Sequence, residues 1–191
     1  MDDGDSELIA QSLQGDVDAF AELARRHGGS MHGYLSRRSS RAVADDLLGE
    51  VWVRSFRARG SYDCAWSDAR PWLYGIARNV LREHWRAQRR ASGIEDTSHD
   101  PWDVVDTRID AQAQRNMVFA VLDELSSSDR EILLLVAWEQ LSPSEAAISL
   151  GISSGAARWR LHHARRVFRD RFDAKQKATD PESISVRRNL R

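Results

Sequence analysis

Arg158, Trp159, Arg160, His162, Arg165 and Arg166 fall within nine positions in the C-terminal part of the chain. Guanidinium groups are planar, permanently charged donors that pair two bonds at a time with phosphate oxygens and with the edge of guanine. The chemistry such a cluster can do is recognition of duplex nucleic acid. Base edges are reached from the first half of a helix, and phosphates are met around it. Just upstream, Ser142-Pro143-Ser144-Glu145 spells a capping box with proline at the first helical position. Gly151 supplies a left-handed end to that helix, Ile152 plugs the turn and Ser153 can cap the next helix. Ala157, Leu161, Ala164 and Phe168 make an inner stripe opposite the cations, and the small Ala147 and Ala157 permit close crossing. These features spell a helix-turn-helix over Leu141 to Phe168. Adjacent His162 and His163 point in different directions, so they make no metal pair.

A second cluster lies between Arg70 and Arg90, where Trp72, Tyr74 and Trp85 alternate with Arg78, Arg82, Arg86, Arg89 and Arg90. Aromatics stack on unpaired bases and arginines follow the backbone, which is the composition of a single-strand platform. Trp72 and Ile76 also fit a buried stripe. Asp46, Glu50 and Arg54 recur at four-residue spacing as a charged helix face, either solvated or docking a protein. Asp45, Asp46, Glu50, Asp63 and Asp68 are the carboxylates available for a divalent metal. No phosphate loop, nucleophile or histidine set accompanies them, so neither enzyme activity, nor a metal, nor a cofactor is expected.

The elements that must hold these clusters read as all helical, with no alternation suited to a sheet. Glu7 to Leu13, Val17 to Leu23 and Met31 to Arg38 are expected as short helices, Gly15 ending the first and Asp16 capping the second. Ala42 to Arg59 is a longer one, with Val43, Leu47, Val51 and Ser55 or Phe56 inward. Gly60 to Ala69 reads as a loop. Pro71 opens a helix to Arg90 whose inner face carries Trp72, Ile76, Val80 and His84. Ala91 to Arg108, with Ser92, Gly93, Ser98, Pro101 and a run of acids, reads as a flexible linker, a solubilising tether on composition alone. Helical pattern resumes at Ala111 to Leu125 and Asp129 to Trp138, and Asp173 to Arg191 is polar and expected to fray. The expected architecture is all-α: two small helical domains, 6–90 and 111–172, joined by a flexible linker at 91–110 and followed by a polar tail at 173–191.

The chain of 191 residues carries 28 basic and 29 acidic side chains, a net charge of −1 that conceals segregation. Arg70 to Arg90 holds six arginines against one acid, Glu95 to Asp110 six acids against one arginine, and Arg158 to Arg171 six arginines against one acid. Two basic stretches around an acidic one suggest two nucleic-acid contacts. The longest apolar runs fall well short of the roughly 20 residues a membrane span takes. The acidic N-terminus lacks the form of a signal peptide. Cys64 is the single cysteine and reads as a partly buried small hydrophobe in a reducing cytoplasm.

Leu122 to Arg169 resembles region 4 of extracytoplasmic-function sigma factors, in its Trp138-Glu139, Leu141-Ser142, Glu145-Ala146-Ala147, Leu150-Gly151 with Ser153 and Gly155, and His162 with Ala164-Arg165 positions. Gly15-Asp16 with Ala19-Phe20 and Leu23, Ala44 to Phe56, and Arg70 to Arg90 resemble region 2 of the same family. The resemblance covers about Ser6 to Arg171. It implies a promoter-specificity subunit of RNA polymerase with three working surfaces. Asp46, Glu50 and Arg54 would meet the clamp coiled coil of the largest subunit. Tyr74, Arg78, Asn79, Arg82, Trp85 and Arg86 would bind the minus-10 element, the loop Ser61 to Arg70 helping to line a pocket for a captured base. Arg158, Trp159, Arg160, His162, Arg165 and Arg166 would bind the minus-35 element. Implied partners are core polymerase through its clamp and flap, promoter DNA, and an anti-sigma factor. Gly49 departs from the family's usual Gln, and Ala156 and Trp159 stand where Thr and Ser are common. A stand-alone helix-turn-helix regulator of duplex DNA is the alternative reading.

Overall fold

Residues 4–92 and 113–179 are described by the computed structural model, and among them every regular element is helical. Two groups of four helices follow one another: α1 (Asp5–Leu13), α2 (Val17–Ser36), α3 (Arg41–Ala58) and α4 (Arg70–Ser92), then α5 (Ala113–Asp123), α6 (Ser127–Ala137), α7 (Pro143–Leu150) and α8 (Ser154–Thr179). A single 3-10 turn, Arg59–Ser61, closes α3. Among the described residues no helix is long and apolar enough to cross a membrane. The acidic linker expected at 91–110 lies almost wholly outside the described residues.

Local chemistry sets the helix ends. Asp16 accepts from the N–H groups of Asp18 and Ala19 at 2.9 and 3.2 Å, which caps α2. Ser142 and Glu145 close the expected capping box on α7, at 3.2 Å from the Glu145 amide and 2.7 Å from the Ser142 amide. Gly151 ends α7 at φ 65°, a backbone region glycine enters without penalty. Ser153 accepts from the Ala156 N–H at 3.2 Å and starts α8.

Several expected boundaries move. The second and third N-terminal helices are one 20-residue helix, α2, running through Gly28, Gly29 and Gly33. Glycine costs a helix interior roughly 1 kcal/mol each. The buried stripe of Phe20, Leu23, His27, Met31, Tyr34 and Leu35 continues across them, and its burial outweighs that cost. In α3 the fully buried positions are Ala44, Leu47, Val51 and Ser55, with Val43 and Phe56 half-buried. In α4 they are Leu73, Tyr74, Ala77, Val80 and Leu81, whereas Trp72, Ile76 and His84 are only half-buried. The C-terminal tail does not fray at Asp173, because α8 runs on to Thr179. Arg171 and Lys175 reach the Glu124 carboxylate at 3.2 and 2.7 Å, and Phe168 stacks on Phe172, which holds this end against α5. Cys64 is exposed rather than partly buried.

Two buried polar anchors complete the frame. Asp5 accepts from the Ala69 N–H at 2.9 Å and from Arg26 at 2.9 Å, and its other contact is His27 Nε2 at 2.8 Å. It thereby ties α1 to α2 and to the start of α4. Burial works to raise the Asp5 carboxyl, but the bonds from His27, the Ala69 amide and Arg26 outweigh it and hold the group below its ordinary range. Arg130 is 4% exposed and donates to the Leu122 and Asp123 carbonyls at 2.7 and 2.8 Å, satisfying the end of α5 from within α6.

Candidate nucleic-acid interfaces and docking face

The face of α8 that points away from the protein is built by its own inner stripe. Ala157, Leu161 and Ala164 are buried against α6 and α7, so positions offset from them by a quarter turn or more must face outward. Arg158, Trp159, His162, Arg165 and Arg166 are all exposed there, and Arg160 is half-exposed. Trp159 is 68% exposed, and its ring lies parallel to His163 at 5.4 Å with 3° between planes. His163 in turn stands 3.9 Å from Asp129. The indole is therefore aligned by a neighbouring ring while staying largely exposed. The face carries four arginines and no acid, an electropositive ridge of helical pitch suited to a major groove.

On α4 the expected cluster divides. Asn79, Arg82 and Arg86 are exposed at i, i+3 and i+7 and form one polar stripe, which Arg90 extends. Trp85 is half-buried and packs edge-on to His84. Tyr74 and Arg78 are not on this stripe. Tyr74 is 1% exposed, and its hydroxyl donates to Glu139 Oε2 at 3.0 Å. Burial and the neighbouring Glu139 carboxylate push its phenol well above the ordinary range. Arg78 is ion-paired with Glu131 at 2.8 Å. Both contacts come from the C-terminal group of helices, which sequence periodicity did not bring here. In the preceding loop, Tyr62 donates to the Trp66 carbonyl at 2.5 Å and packs on Trp72 with centroids 5.4 Å apart, while Trp66 itself stays 40% exposed.

The α3 surface is simple. Asp46 and Glu50 are exposed one turn apart, opposite the buried Ala44, Leu47 and Val51. Gly49 lies between them with no atom within 4 Å of where a Cβ would stand, so the departure at this position opens a flat spot and fills no structural need. Val53 continues the same face and is 45% exposed, an apolar addition that the charge pattern did not signal. Arg54 bonds to Glu50 at 2.6 Å and to Glu83 at 2.7 Å, bridging α3 to α4. Its two carboxylate partners reinforce its charged state. Asp45 pairs with His32 and Asp68 with Arg70, and the described residues contain no group of three or more metal-ligating side chains.

Comparison with known proteins matches this arrangement in chain order. Residues 23–91 match the Sigma-70 region 2 family, and residues 115–167 match the Sigma-70 region 4 family. The chain is similar to the RNA polymerase sigma factor CarQ of Myxococcus xanthus, 34% identical over 82% of this chain and 90% of that one. It is 31% identical to the RNA polymerase sigma factor NccH of Alcaligenes xylosoxydans xylosoxydans over 84% of this chain and 90% of that one. The solved structure of CnrH in complex with the cytosolic domain of CnrY superposes with a TM-score of 0.62 at 26% identity, covering 92% of this chain and 99% of that one.

Proposed function

The chain belongs to the sigma-70 family of RNA polymerase sigma factors, and we propose that its exposed helix faces divide the work of promoter-directed initiation in the extracytoplasmic-function manner. As a sigma factor it binds core polymerase and directs it to promoters. The observation that carries the division of labour is the pair of arginine-bearing faces, one on α4 and one on α8, lying on separate helical groups in the order of the two family matches. Sigma factors act as non-enzymatic initiation subunits, and this chain's work is to bind and position.

On α8, Arg158 and His162 lie in the half of the helix that enters the minus-35 groove, and Arg160, Arg165 and Arg166 meet phosphates, with Trp159 lying along the wall. On α4, Asn79, Arg82 and Arg86 follow the strand of the minus-10 element, joined by Trp85, Tyr74 and Arg78 once those are accessible. Unpaired bases offer a π face that duplex DNA hides, so a stacking platform favours the melted state. The α3 face of Asp46, Glu50 and Val53 docks on the clamp coiled coil, with Arg54 fixing the Glu50 carboxylate. Residues 6–90 form the polymerase and minus-10 unit, and residues 111–172 the minus-35 unit that also meets the flap. The segment 91–110 joins them, and the protein works in the cytoplasm where polymerase is. An anti-sigma factor is the expected inhibitor, in keeping with the CnrH–CnrY complex.

A stand-alone regulator would need only α7 and α8, whereas residues 23–91, from within α2 through α4, match sigma region 2. The decisive experiment is reconstituted transcription from a genomic promoter library with purified core. Transcripts that require both core and this protein support the reading. Tight binding to a duplex operator with no core-dependent transcript from any promoter refutes it.

A further inference from the structure

The loop between α3 and α4 is held at its two ends and folds on itself in between. At one end the Tyr62 ring is buried and packs on Trp72 of α4, while its hydroxyl donates to the Trp66 carbonyl. Burial and the nearby Asp5 carboxylate push the Tyr62 phenol up to about 12, so it keeps the proton it donates. The tip closes through Asp63, whose side chain accepts from the Ala65 N–H at 3.0 Å and whose carbonyl accepts from the Trp66 N–H at 3.0 Å. Cys64, Ala65, Trp66 and Ser67 are exposed there. At the other end Ala69 is fully buried, and its carbonyl accepts from the Leu73 N–H at 2.9 Å in the first turn of α4.

What seats that buried end comes from α1. Asp5 is 4% exposed, and its Oδ2 accepts from the Ala69 N–H at 2.9 Å and faces His27 Nε2 at 2.8 Å, while its Oδ1 accepts from Arg26 at 2.9 Å. A carboxylate has no proton to give, so every group facing it must donate, and His27 turns a protonated Nε2 toward it. A buried N–H left without an acceptor is costly, so the end of the loop goes where α1 and α2 hold this carboxylate. Asp5 precedes residues 23–91, which match sigma region 2, and stands 64 residues from the amide it accepts from.

We propose that Asp5 is a positioning residue for minus-10 recognition: braced by Arg26 and His27, it seats the base-capturing loop from α1 and so sharpens the loop's choice of base. The inference rests on the reading of Ser61 to Arg70 as the lining of a pocket for a captured base, and its test separates the two. A pocket wall that is ordered in advance suits one base and fits the others badly, whereas a mobile wall adjusts to each. Because the tip is bonded to itself, its place beside α4 depends on Tyr62 at one end and Ala69 at the other, and Asp5 governs the second. Being buried, Asp5 acts through the backbone it holds and not by contact with DNA. Asparagine has the same shape but offers one oxygen where the carboxylate offers two. Whichever way its amide turns, an NH2 group faces a donor, either Arg26 or the pair of Ala69 and His27.

Cys64 is the single cysteine and sits on the exposed tip, so a nitroxide attached to it reports the tip's motion in the full chain. The label should become more mobile in Asp5→Asn and stay as in wild type in Asp16→Ala, which uncaps α2 and weakens the same group of helices away from the loop. In the wild type, with no substitution at all, the Ala69 amide should exchange hydrogen about as slowly as that of Leu73 and at least about tenfold more slowly than that of Ala65. Core-dependent transcription from a promoter with its minus-10 bases varied one at a time reads the consequence. Asp5→Asn should lower discrimination at the captured base about tenfold, the worth of one hydrogen bond to a charged group. Its minus-35 preference and its capture by core should not change, and Asp16→Ala should keep the wild-type preference throughout. The tip variant Ala65→Gly with Trp66→Gly tests the loop itself. A fast-exchanging Ala69 amide, or a label no more mobile in Asp5→Asn, overturns the anchor. Discrimination lost equally in Asp16→Ala, or lost in the tip variant and kept in Asp5→Asn, overturns the positioning role and leaves the loop as the reader. Discrimination unchanged in every variant, the tip variant included, overturns the loop as the reader and the positioning role with it.

Discussion

Replacing Arg158 and Arg166 one at a time by alanine separates base reading from backbone binding on α8. Both side chains are exposed, so neither loss disturbs the core. Eight residues at a rise of about 1.5 Å place them about 12 Å apart along the axis, close to the roughly 12 Å width of the major groove. If Arg158 stands over the groove floor, Arg166 stands at its wall. At about 100° per residue, His162 and Arg165 fall within roughly 40° of Arg158 around the helix, whereas Arg166 is turned roughly 80° away. Losing a bidentate guanine contact costs about 1–3 kcal/mol, roughly five- to 150-fold, at one base pair only. Losing one phosphate contact reduces the salt slope by about 0.9, so the wild type's advantage shrinks about 3.5-fold between roughly 50 and 200 mM salt. Arg158→Ala should therefore alter the preferred minus-35 sequence, and Arg166→Ala should weaken all sequences alike with a flatter salt dependence. Promoter-library transcription with core across a salt series reads both. An unchanged preference in Arg158→Ala, with activity merely scaled, would refute this orientation of the helix.

Asp46→Lys with Glu50→Lys should abolish capture by core polymerase in a pull-down while leaving circular dichroism unchanged, since both side chains sit at the surface; undiminished capture removes α3 from the interface. Asp5→Ala should destabilise the N-terminal group by about 3 kcal/mol in urea unfolding, because Arg26 and His27 lose a buried partner. The folded Asp5 carboxyl lies below its unfolded value, so its contribution is present above the ordinary carboxylate range and is lost as pH falls through and below it. The wild-type advantage over Asp5→Ala should accordingly vanish in acid, and an advantage that persists there would dismiss the linkage. Ser142→Ala removes half of the capping box and should cost about 1 kcal/mol, measurable as a lowered unfolding midpoint.

What the sequence displayed was whatever short-range rules decide. The capping box, the Gly151 terminus and the inner stripe of α8 each depend on residues within a few positions of one another, and all stand where the pattern puts them. The gap expected between Leu23 and Met31 is helical instead, because the buried stripe on either side of Gly28 and Gly29 is continuous through His27. The same reasoning explains Tyr74. Its ring fits a base-stacking pattern as well as a core position, and the choice depends on Glu139, 65 residues away. Arg37 and its carboxylate are 102 residues apart. Periodicity carries no information at such separations, and the motif that includes Glu139 does not say which residues its carboxylate meets.

The charge segregation gains a physical meaning from that pairing. Acids of one helical group answer some arginines of the other: Glu131 meets Arg78, and Glu139 meets Arg37 and Arg38. Arg78 belongs to the surface proposed to follow the minus-10 strand, so an internal carboxylate occupies it where a phosphate would lie. A guanidinium binds either anion with the same fork, and only one at a time. Strand capture must therefore displace an internal ion pair and does not simply add a contact. Forming that contact also frees the Glu131 carboxylate, which takes up a cation, so the salt dependence of strand binding should be weaker than the number of arginines engaged suggests. Gly75→Leu, which alters no charge but wedges a side chain between α4 and the Ser149 backbone of α7 and so parts Glu131 from Arg78, should steepen that dependence by about one phosphate equivalent, and an identical slope in wild type and variant would show that Arg78 never exchanges its partner.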